Sequence, residues 1–285
     1  MRLHQPLPAL EALERFLAEP GVARAVASRH VLPAREAVFS PVPEWLDARL
    51  VEALQKRGIE ALYSHQREAL DALRGGEDVV IVTPTASGKS LCYNLPVLQE
   101  IGQDPAARAL YLFPTKALSQ DQLAEFRELS QLAGMDLSAA VYDGDTPAPI
   151  RAVVREAGQV VVTNPDMLST AVLPHHTKWF QLFEQLRYIV VDEAHTYRGI
   201  FGSHVANVLR RLLRVCAHYG SSPRIVCSSA TVGNPGELAE TLTGRPFRVI
   251  DQSGAPTGER HVVVLDPPPL DRRTGVRPGP HGMAY

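Results

Sequence analysis

The chain has 285 residues, of which 45% are hydrophobic and 21% charged, and its formal net charge is −2. This balance excludes a largely disordered chain and a uniformly basic surface, although a local groove of cations and backbone amides could still bind nucleic acid. No apolar stretch approaches the roughly 20 residues that cross a bilayer, so we expect a cytoplasmic protein without a membrane partner. Cys92, Cys216 and Cys227 lack the paired spacing of a zinc site and are expected to be buried thiols.

The N-terminal segments are predicted to be helical. Residues 7–17, 43–56 and 64–73 have helix-like sequences, and the Pro-containing segment VLPAREAVFSPVP separates the first two. We therefore predict a helical N-terminal extension over residues 1–57, followed by a main domain over residues 58–250.

Five apolar runs in the main domain predict a parallel β-sheet. They are DVVIVTP, RALYLFP, QVVVTNP, RYIVVDE and PRIVCSS, and a helix-like segment or a loop follows each of them. Continuous Val and Ile runs are typical of strands covered on both faces, with helices as crossovers between parallel neighbours. The fold class is therefore α/β, a mostly parallel sheet with helices on both faces. Ligands of such sheets bind beyond the carboxyl ends of the strands, where polar motifs follow all five runs.

The segment TPTASGKS, residues 83–90, follows the first of these strands and precedes a helix-like stretch. In a phosphate-binding loop of this kind, backbone amides and the helix N-terminus face phosphate oxygens, Lys89 reaches the β- and γ-phosphates, and the Ser90 hydroxyl ligates Mg²⁺. The other residues expected to hold ATP are Thr85, Ala86, Ser87 and Gly88. Thr83 stands where the general pattern has glycine, so the residues alone leave an ordinary strand-to-helix turn as an alternative.

The segment DEAH, residues 192–195, directly follows the RYIVV run. Asp192 at the strand end is expected to hold Mg²⁺, and Glu193 is expected to orient and deprotonate the water that attacks the γ-phosphate. Together with Lys89 they form the predicted catalytic set. An acidic turn that caps the following helix is the alternative for so short a motif.

The ordered set TPTASGKS, PTKALSQDQ, TNPDML, DEAH and SAT resembles the first motor domain of superfamily 2 DEAD/DEAH-box helicases, over roughly residues 62–250. The strings LYSHQ, SGKSLCYNLPVL and DEAHTYRGIFGSHVANVLRRL are more particularly similar to RecQ-like DNA helicases related to the bacterial mitomycin-repair helicase. The resemblance implies a RecA-like P-loop NTPase domain, ATP and Mg²⁺ as cofactors, and single-stranded nucleic acid, expected to be DNA, as a partner. It also implies that the first position of the loop need not be glycine.

The resemblance implies roles for further residues. Gln66 matches the glutamine that reads the adenine edge. The residues that match motifs gripping the nucleic-acid backbone are Thr115, Lys116, Thr163, Asn164 and Asp166. Those that match motifs coupling nucleotide state to this grip are His195, Ser229 and Thr231. Without the resemblance, a solvated glutamine at a helix start is the alternative for Gln66, and a capped helix or a polar turn is the alternative for the backbone-gripping residues. A Ser/Thr-rich turn is the alternative for Ser229 and Thr231, and a hydrogen-bonded histidine at the rim of the sheet is the alternative for His195.

The sequence after SAT is short for a second domain of this kind, with about fifty residues remaining. Residues 251–285 are therefore expected to be a linker or tail toward a missing second motor domain, with HVVVLD as its one candidate strand. The leading hypothesis is the ATP-binding domain of an ATP-dependent DEAH-box DNA helicase in repair or recombination, an ATP hydrolase that unwinds little or nothing by itself. A nucleotide-responsive binding module without catalysis and an RNA helicase of the same superfamily remain open.

Overall fold

The structure is a computed structural model that describes residues 8–267. These residues fall into two compact units, residues 8–36 with 256–267 and residues 37–255. The predicted boundaries at residues 57 and 250 therefore differ from the observed ones. Of the predicted linker or tail over residues 251–285, residues 268–285 lie outside the described part of the chain, as does the first residue of the predicted helix over residues 7–17. Within residues 8–267, no helix is both long and apolar enough to cross a membrane.

The strands and helices are numbered in chain order. The strands are β1 (Val26–Leu32), β2 (Phe39–Ser40), β3 (Leu62–Tyr63), β4 (Val79–Val82), β5 (Arg108–Leu112), β6 (Ala139–Val141), β7 (Val160–Thr163), β8 (Leu186–Val191), β9 (Arg224–Ser229), β10 (Arg248–Ile250) and β11 (Arg260–Leu265). The α-helices are α1 (Ala9–Ala18), α2 (Pro20–Ala23), α3 (Ala48–Lys56), α4 (Ser64–Arg74), α5 (Lys89–Gln103), α6 (Lys116–Leu132), α7 (Ala148–Ala157), α8 (Pro165–Met167), α9 (Phe180–Glu184), α10 (Gly199–His218) and α11 (Pro235–Thr243). A π-helix (Leu168–Val172) and two 3₁₀-helices (Leu173–Trp179 and Ala194–Thr196) complete the description.

The smaller unit contains a strand where the sequence predicted only helices. In this unit β1 pairs antiparallel with β11, from Val26 opposite Leu265 to Leu32 opposite Arg260. The strand predicted from HVVVLD is confirmed as β11. Strand β1 was not predicted, because its partner strand lies more than two hundred residues away in the chain. The N-terminal extension is therefore not purely helical, and β2 adds a second short strand to the predicted segment.

The larger unit is built on a seven-stranded parallel sheet in the order β10-β4-β9-β8-β5-β7-β6. The five predicted runs form β4, β5, β7, β8 and β9, as expected, and the two edge strands, β6 and β10, are three residues long and were not predicted. Side chains alternate between two hydrophobic cores: Val79 and Ile81 of β4 enter one core, and Val80 and Val82 enter the other. Helices therefore cover both faces of the sheet, as the Val and Ile runs indicate.

Local signals set the helix ends near the sheet. The helix predicted over residues 43–56 begins at Ala48, because the Asp47 side chain accepts a hydrogen bond from Arg49 N at 2.9 Å and caps the helix there. The long helix predicted after DEAH is α10, whose Val205, Leu209 and Leu212 are buried. The parallel strands bring the loops after β4, β5, β7, β8 and β9 to one edge of the sheet, which carries all five polar motifs.

Candidate active site

The loop between β4 and α5 has a fixed and locally strained backbone. Ala86 and Gly88 have φ values of 62° and 77°, in the left-handed region. A Cβ at residue 88 would lie 2.6 Å from Gln66 Nε2, so both the conformation and the space require glycine there. The buried hydroxyls of Thr83 and Ser87 lie 2.6 Å apart and join the two ends of the loop. Thr83, in place of the glycine of the general pattern, therefore closes the loop.

Lys89 begins α5 and turns its ammonium group back into this loop. Its Nζ donates to the carbonyl oxygens of Thr83 at 2.7 Å and Pro84 at 3.3 Å. Burial lowers the pKa of Lys89, and the nearby carboxylates of Glu193 and Asp192 oppose that shift. Two neutral carbonyls balance this charge incompletely, so an anion such as phosphate in the same loop would stabilise the ammonium.

The acidic motif lies on the adjoining loop, after β8. Asp192 is 7% exposed, and its Oδ1 accepts hydrogen bonds from the Ser228 hydroxyl and from Glu193 N. Burial raises the pKa of Asp192, an effect that these two hydrogen bonds oppose. Within residues 8–267, no hydrogen bond occupies its other oxygen, Oδ2. A buried carboxylate with one free oxygen is suited to bind a cation.

Glu193 has a φ of 50°, and Ala86 and Glu193 are the non-glycine residues with positive φ between residues 8 and 267. Such strain persists where the surrounding structure enforces it, and it concentrates at functional sites. Both strained residues belong to the two motifs predicted to bind and hydrolyse ATP. Ser90 Oγ and Asp192 provide oxygen ligands, which Mg²⁺ prefers. The cationic loop is suited to bind a triphosphate.

His195 connects the DEAH loop with the SAT loop. Its Nδ1 accepts a hydrogen bond from Ala230 N at 3.2 Å and lies 3.1 Å from Glu193 Oε2. One nitrogen cannot accept from the amide and donate to the carboxylate at the same time, so the two contacts require different positions of the ring proton. His195 therefore lies between the two motifs, and its coupling role stays a prediction.

The residues at the end of β9 and directly after it differ partly from the prediction. Ser229 is buried and donates to the Ala230 carbonyl at 2.8 Å, and Thr231 is exposed. The hydroxyl that bonds to Asp192 is that of Ser228, which sequence reasoning missed. Adjacent residues of a strand point to opposite faces, so the Ser229 hydroxyl does not share the contact that Ser228 makes with Asp192.

Gln66 lies against the loop, and both ends of its amide are engaged. Its Nε2 donates to Gly88 O at 2.9 Å, and its Oε1 accepts from Tyr63 N at the same distance. It lines a cavity of about 660 Å³ beside the loop, together with Phe39 and Tyr63, whose rings stack at 5.4 Å. Gln66 therefore has one amide hydrogen and one oxygen lone pair left for the predicted contact with adenine. The rings of Phe39 and Tyr63 are available to contact a base.

The predicted nucleic-acid residues fall into two groups. Thr115, Lys116 and Asp166 are exposed, and Lys116 Nζ donates to Asp145, which holds the pKa of Lys116 above its ordinary value. Asn164 is half-buried and caps α8 by accepting from Met167 N at 2.8 Å. The prediction that Thr163 contacts nucleic acid needs correction. Thr163 is 1% exposed, and its hydroxyl donates to Tyr142 O at 2.6 Å, so the hydroxyl bonds to the segment after β6 and is not free to contact a ligand.

Replacing Asp192 with Asn is expected to abolish Mg²⁺-dependent nucleotide binding and to raise the melting temperature without nucleotide. Because burial raises the pKa of Asp192 in the folded state, its ionised form costs stability, and this cost grows as pH rises from the ordinary value of 3.8 through the raised one. The variant should therefore exceed the parent in stability at neutral pH, by a margin that shrinks as pH falls. Melting curves of both proteins across this range test the prediction, and a variant less stable than the parent at neutral pH would contradict it.

Comparison with known proteins agrees with this geometry. Residues 63–238, more than half of the chain, match the DEAD/DEAH box helicase family. The chain belongs to this family. This DEAD/DEAH box domain is 57% identical over 252 residues to the uncharacterized ATP-dependent helicase YprA of Bacillus subtilis, a match covering 88% of the chain and 34% of YprA. It is 42% identical over 224 residues to the ATP-dependent helicase HRQ1 of Saccharomyces cerevisiae, covering 77% of the chain and 21% of HRQ1.

Solved structures give the same result. The DUF1998 helicase MrfA bound to DNA matches 96% of the chain and 36% of its own, with a TM-score of 0.90 and 53% identity. The DEAD-box helicase Mss116 bound to single-stranded RNA has a TM-score of 0.62 at 18% identity over 76% of this chain and 47% of its own, and shares the fold alone. The predicted resemblance to superfamily 2 helicases and the RecA-like α/β fold are therefore confirmed. The chain spans about a third or less of the length of these curated relatives and of MrfA.

Proposed function

We propose that this chain is the ATP-binding motor domain of an ATP-dependent DNA helicase. The observation that carries the proposal is the convergence of Lys89, Asp192 and Glu193 at one edge of the sheet. There Lys89 is half-buried in its loop, the buried Asp192 uses only its Oδ1 for hydrogen bonds within residues 8–267, and Glu193 has a left-handed backbone conformation. It is the combination of these three features at one edge of the sheet that favours an ATP site over an ordinary turn or a capped helix.

The chain's own residues have distinct tasks in this proposal. Lys89 binds the β- and γ-phosphates, and Ser90 and Asp192 hold Mg²⁺, which neutralises phosphate charge when bound. Glu193 accepts the proton of the attacking water, since its carboxylate follows the metal-binding residue directly. His195 lies between Glu193 and Ala230 N, and its role in this proposal is to couple the Glu193 carboxylate to the SAT loop.

The nucleic-acid side of the proposal rests on Thr115 and Lys116, which are exposed at the start of α6 on the same edge of the sheet. A lysine, a hydroxyl and the amides of a helix N-terminus contact phosphates without reading bases, as a motor that travels along any sequence requires. DNA is favoured over RNA because MrfA, 53% identical to this chain, was solved with DNA, whereas the RNA-bound Mss116 is 18% identical. We further propose a role in DNA repair or recombination in the cytoplasm.

Catalysis at full rate is proposed to need a second motor domain. Helicases resembling this chain hydrolyse ATP between two such domains, and arginine fingers raise phosphoryl-transfer rates by about 10³–10⁵. The relatives matched here are about three times as long as the chain, which leaves room for that domain. The chain by itself should accordingly bind nucleotide, hydrolyse it slowly and fail to unwind a duplex.

Single-stranded DNA is expected to bind the chain weakly, and Lys116→Ala should weaken binding further. Loss of one phosphate contact should reduce the slope of log affinity against log salt by about 0.7. Fluorescence anisotropy of a labelled oligonucleotide at several salt concentrations measures this slope. Lys56→Ala is the matched control, because Lys56 is an exposed lysine of α3 that pairs with Glu52.

The control variant should bind DNA as the parent does. An unchanged slope in Lys116→Ala would remove this lysine from the nucleic-acid surface. Tighter binding of an equally long single-stranded RNA than of the DNA would favour the alternative of an RNA helicase. ATP-dependent strand separation by the chain alone would contradict the need for a second motor domain.

A further inference from the structure

The Ser90 hydroxyl, the proposed Mg²⁺ ligand, has a partner that belongs to none of the motifs. Its Oγ donates to Glu125 Oε1 at 2.7 Å. Glu125 lies on the third turn of α6, three residues after the end of the PTKALSQDQ segment. The helix that begins at the proposed nucleic-acid surface thus also contacts the proposed metal site.

Glu125 is joined in turn to Arg57, the residue that follows α3. Arg57 Nη2 lies 3.8 Å from Glu125 Oε1, and both side chains are about three-quarters buried. The other terminal nitrogen of Arg57, Nη1, is buried and has no hydrogen-bond partner in the described part of the chain. An unpaired buried guanidinium nitrogen costs free energy, so a polar ligand at this place would stabilise it.

Both residues line the cavity of about 660 Å³ beside the P-loop. Its wall contains the stacked rings of Phe39 and Tyr63, the amide of Gln66, and Gly88 of the loop itself. A flat aromatic surface with hydrogen-bonding groups at its rim is suited to a heterocyclic base. The base pocket and the metal ligand are therefore connected by one chain of contacts, from Arg57 through Glu125 to Ser90.

We propose that Arg57 and Glu125 make metal binding depend on the base: Arg57 donates to an acceptor atom of the nucleotide base, and Glu125 orients the Ser90 hydroxyl for Mg²⁺. This inference rests on the proposed function. A serine hydroxyl has one proton and two lone pairs. With the proton directed to the Glu125 carboxylate, the lone pairs are left for the metal. Glu125 is thus a positioning residue and Arg57 a residue that determines nucleotide specificity.

The opposite role for Glu125 makes the opposite prediction. If the carboxylate instead sequestered Ser90 from the metal, its removal would strengthen Mg²⁺ binding. If it only packed α6 against the loop, its removal would lower stability and leave the Mg²⁺ requirement unchanged. The dependence of nucleotide binding on Mg²⁺ concentration separates these roles.

Glu125→Ala is expected to raise the Mg²⁺ concentration for half-maximal ATP binding by about tenfold, the effect of losing one charged hydrogen bond. Binding of ATP in the presence of a chelator should stay unchanged. Glu125→Gln keeps an acceptor oxygen without the charge and should lie between alanine and the parent, which also guards against misfolding of the alanine variant. Glu128→Ala, an exposed glutamate on the same helix, is the matched control and should behave as the parent.

Arg57→Ala tests the other end of the chain of contacts. Calorimetric titrations with ATP and with inorganic triphosphate, both with Mg²⁺, compare ligands with and without a base. The variant should bind ATP about tenfold more weakly than the parent and should bind triphosphate equally well. Equal losses for both ligands would mean that Arg57 supports the loop and reads no base.

The failure of this inference is distinguishable from failure of the proposed function. If the parent binds Mg²⁺·ATP and requires Lys89, but the Mg²⁺ midpoint of Glu125→Ala is unchanged or lowered, Glu125 does not position Ser90 and the inference is overturned. If the parent itself shows no Mg²⁺·ATP binding at this loop, the proposed function and the inference are both overturned.

Discussion

Lys89→Ala is expected to remove detectable Mg²⁺·ATP binding while the chain remains folded. The ammonium is the cation that the P-loop offers to the β- and γ-phosphates, and its bonds in the structure go to the loop carbonyls of Thr83 and Pro84. Charged hydrogen bonds to phosphate contribute about 1.5–3 kcal/mol each, so losing this group should weaken binding by at least about a hundredfold. Isothermal titration calorimetry measures the affinity.

The fold should survive this substitution because the Lys89 ammonium faces the loop and the hydrophobic core lies elsewhere. Circular dichroism and a melting curve close to those of the parent would establish this. Lys178→Ala, which removes an exposed lysine, serves as the charge-matched control and should bind nucleotide as the parent does. Unchanged nucleotide affinity in Lys89→Ala would show that this loop is not the phosphate-binding site.

Much of the fold could be predicted because its signals are local. The five central strands are continuous apolar runs without alternation, and their short length, their Val and Ile content and the polar or Pro-containing motifs that end them distinguish them from buried helices. The edge strands β6 and β10, with three residues each, are too short to carry such a signal. Strand β1 pairs with a segment more than two hundred residues away, and no local pattern records such a partner.

The residues of the candidate site also fall into those that local sequence signals reveal and those that they do not. Lys89, Asp192 and Glu193 could be found because their chemistry requires fixed spacing within a short loop after a strand. Glu125 and Arg57 could not be found in this way, because both are distant from the loop in the chain and belong to no motif. Glu125 contacts Ser90 from α6, and Arg57, directly after α3, contacts Glu125. Thr163 shows a limit of motif matching. The motif position identifies a hydroxyl, but it does not indicate that the strand directs this hydroxyl into the protein.

Glu193→Gln is the second substitution with a large expected effect. The amide keeps the size and hydrogen bonding of the side chain but cannot accept the proton of the attacking water. Nucleotide affinity should therefore be retained, since Lys89, Ser90 and Asp192 are untouched. Removal of a general base typically slows a reaction by about 10²–10⁴-fold, and we expect a loss in this range.

The most direct test of the central claim is single-turnover ATP hydrolysis, with the chain in excess over ATP and with Mg²⁺ and single-stranded DNA present. This format detects slow chemistry that steady-state assays would miss if a second motor domain is required for full rate. The account predicts Mg²⁺-dependent phosphate release by the parent and release at least about a hundredfold slower by Glu193→Gln at equal ATP binding. Equal rates for the two proteins would contradict the assignment of Glu193, and with it the proposal that this loop hydrolyses ATP.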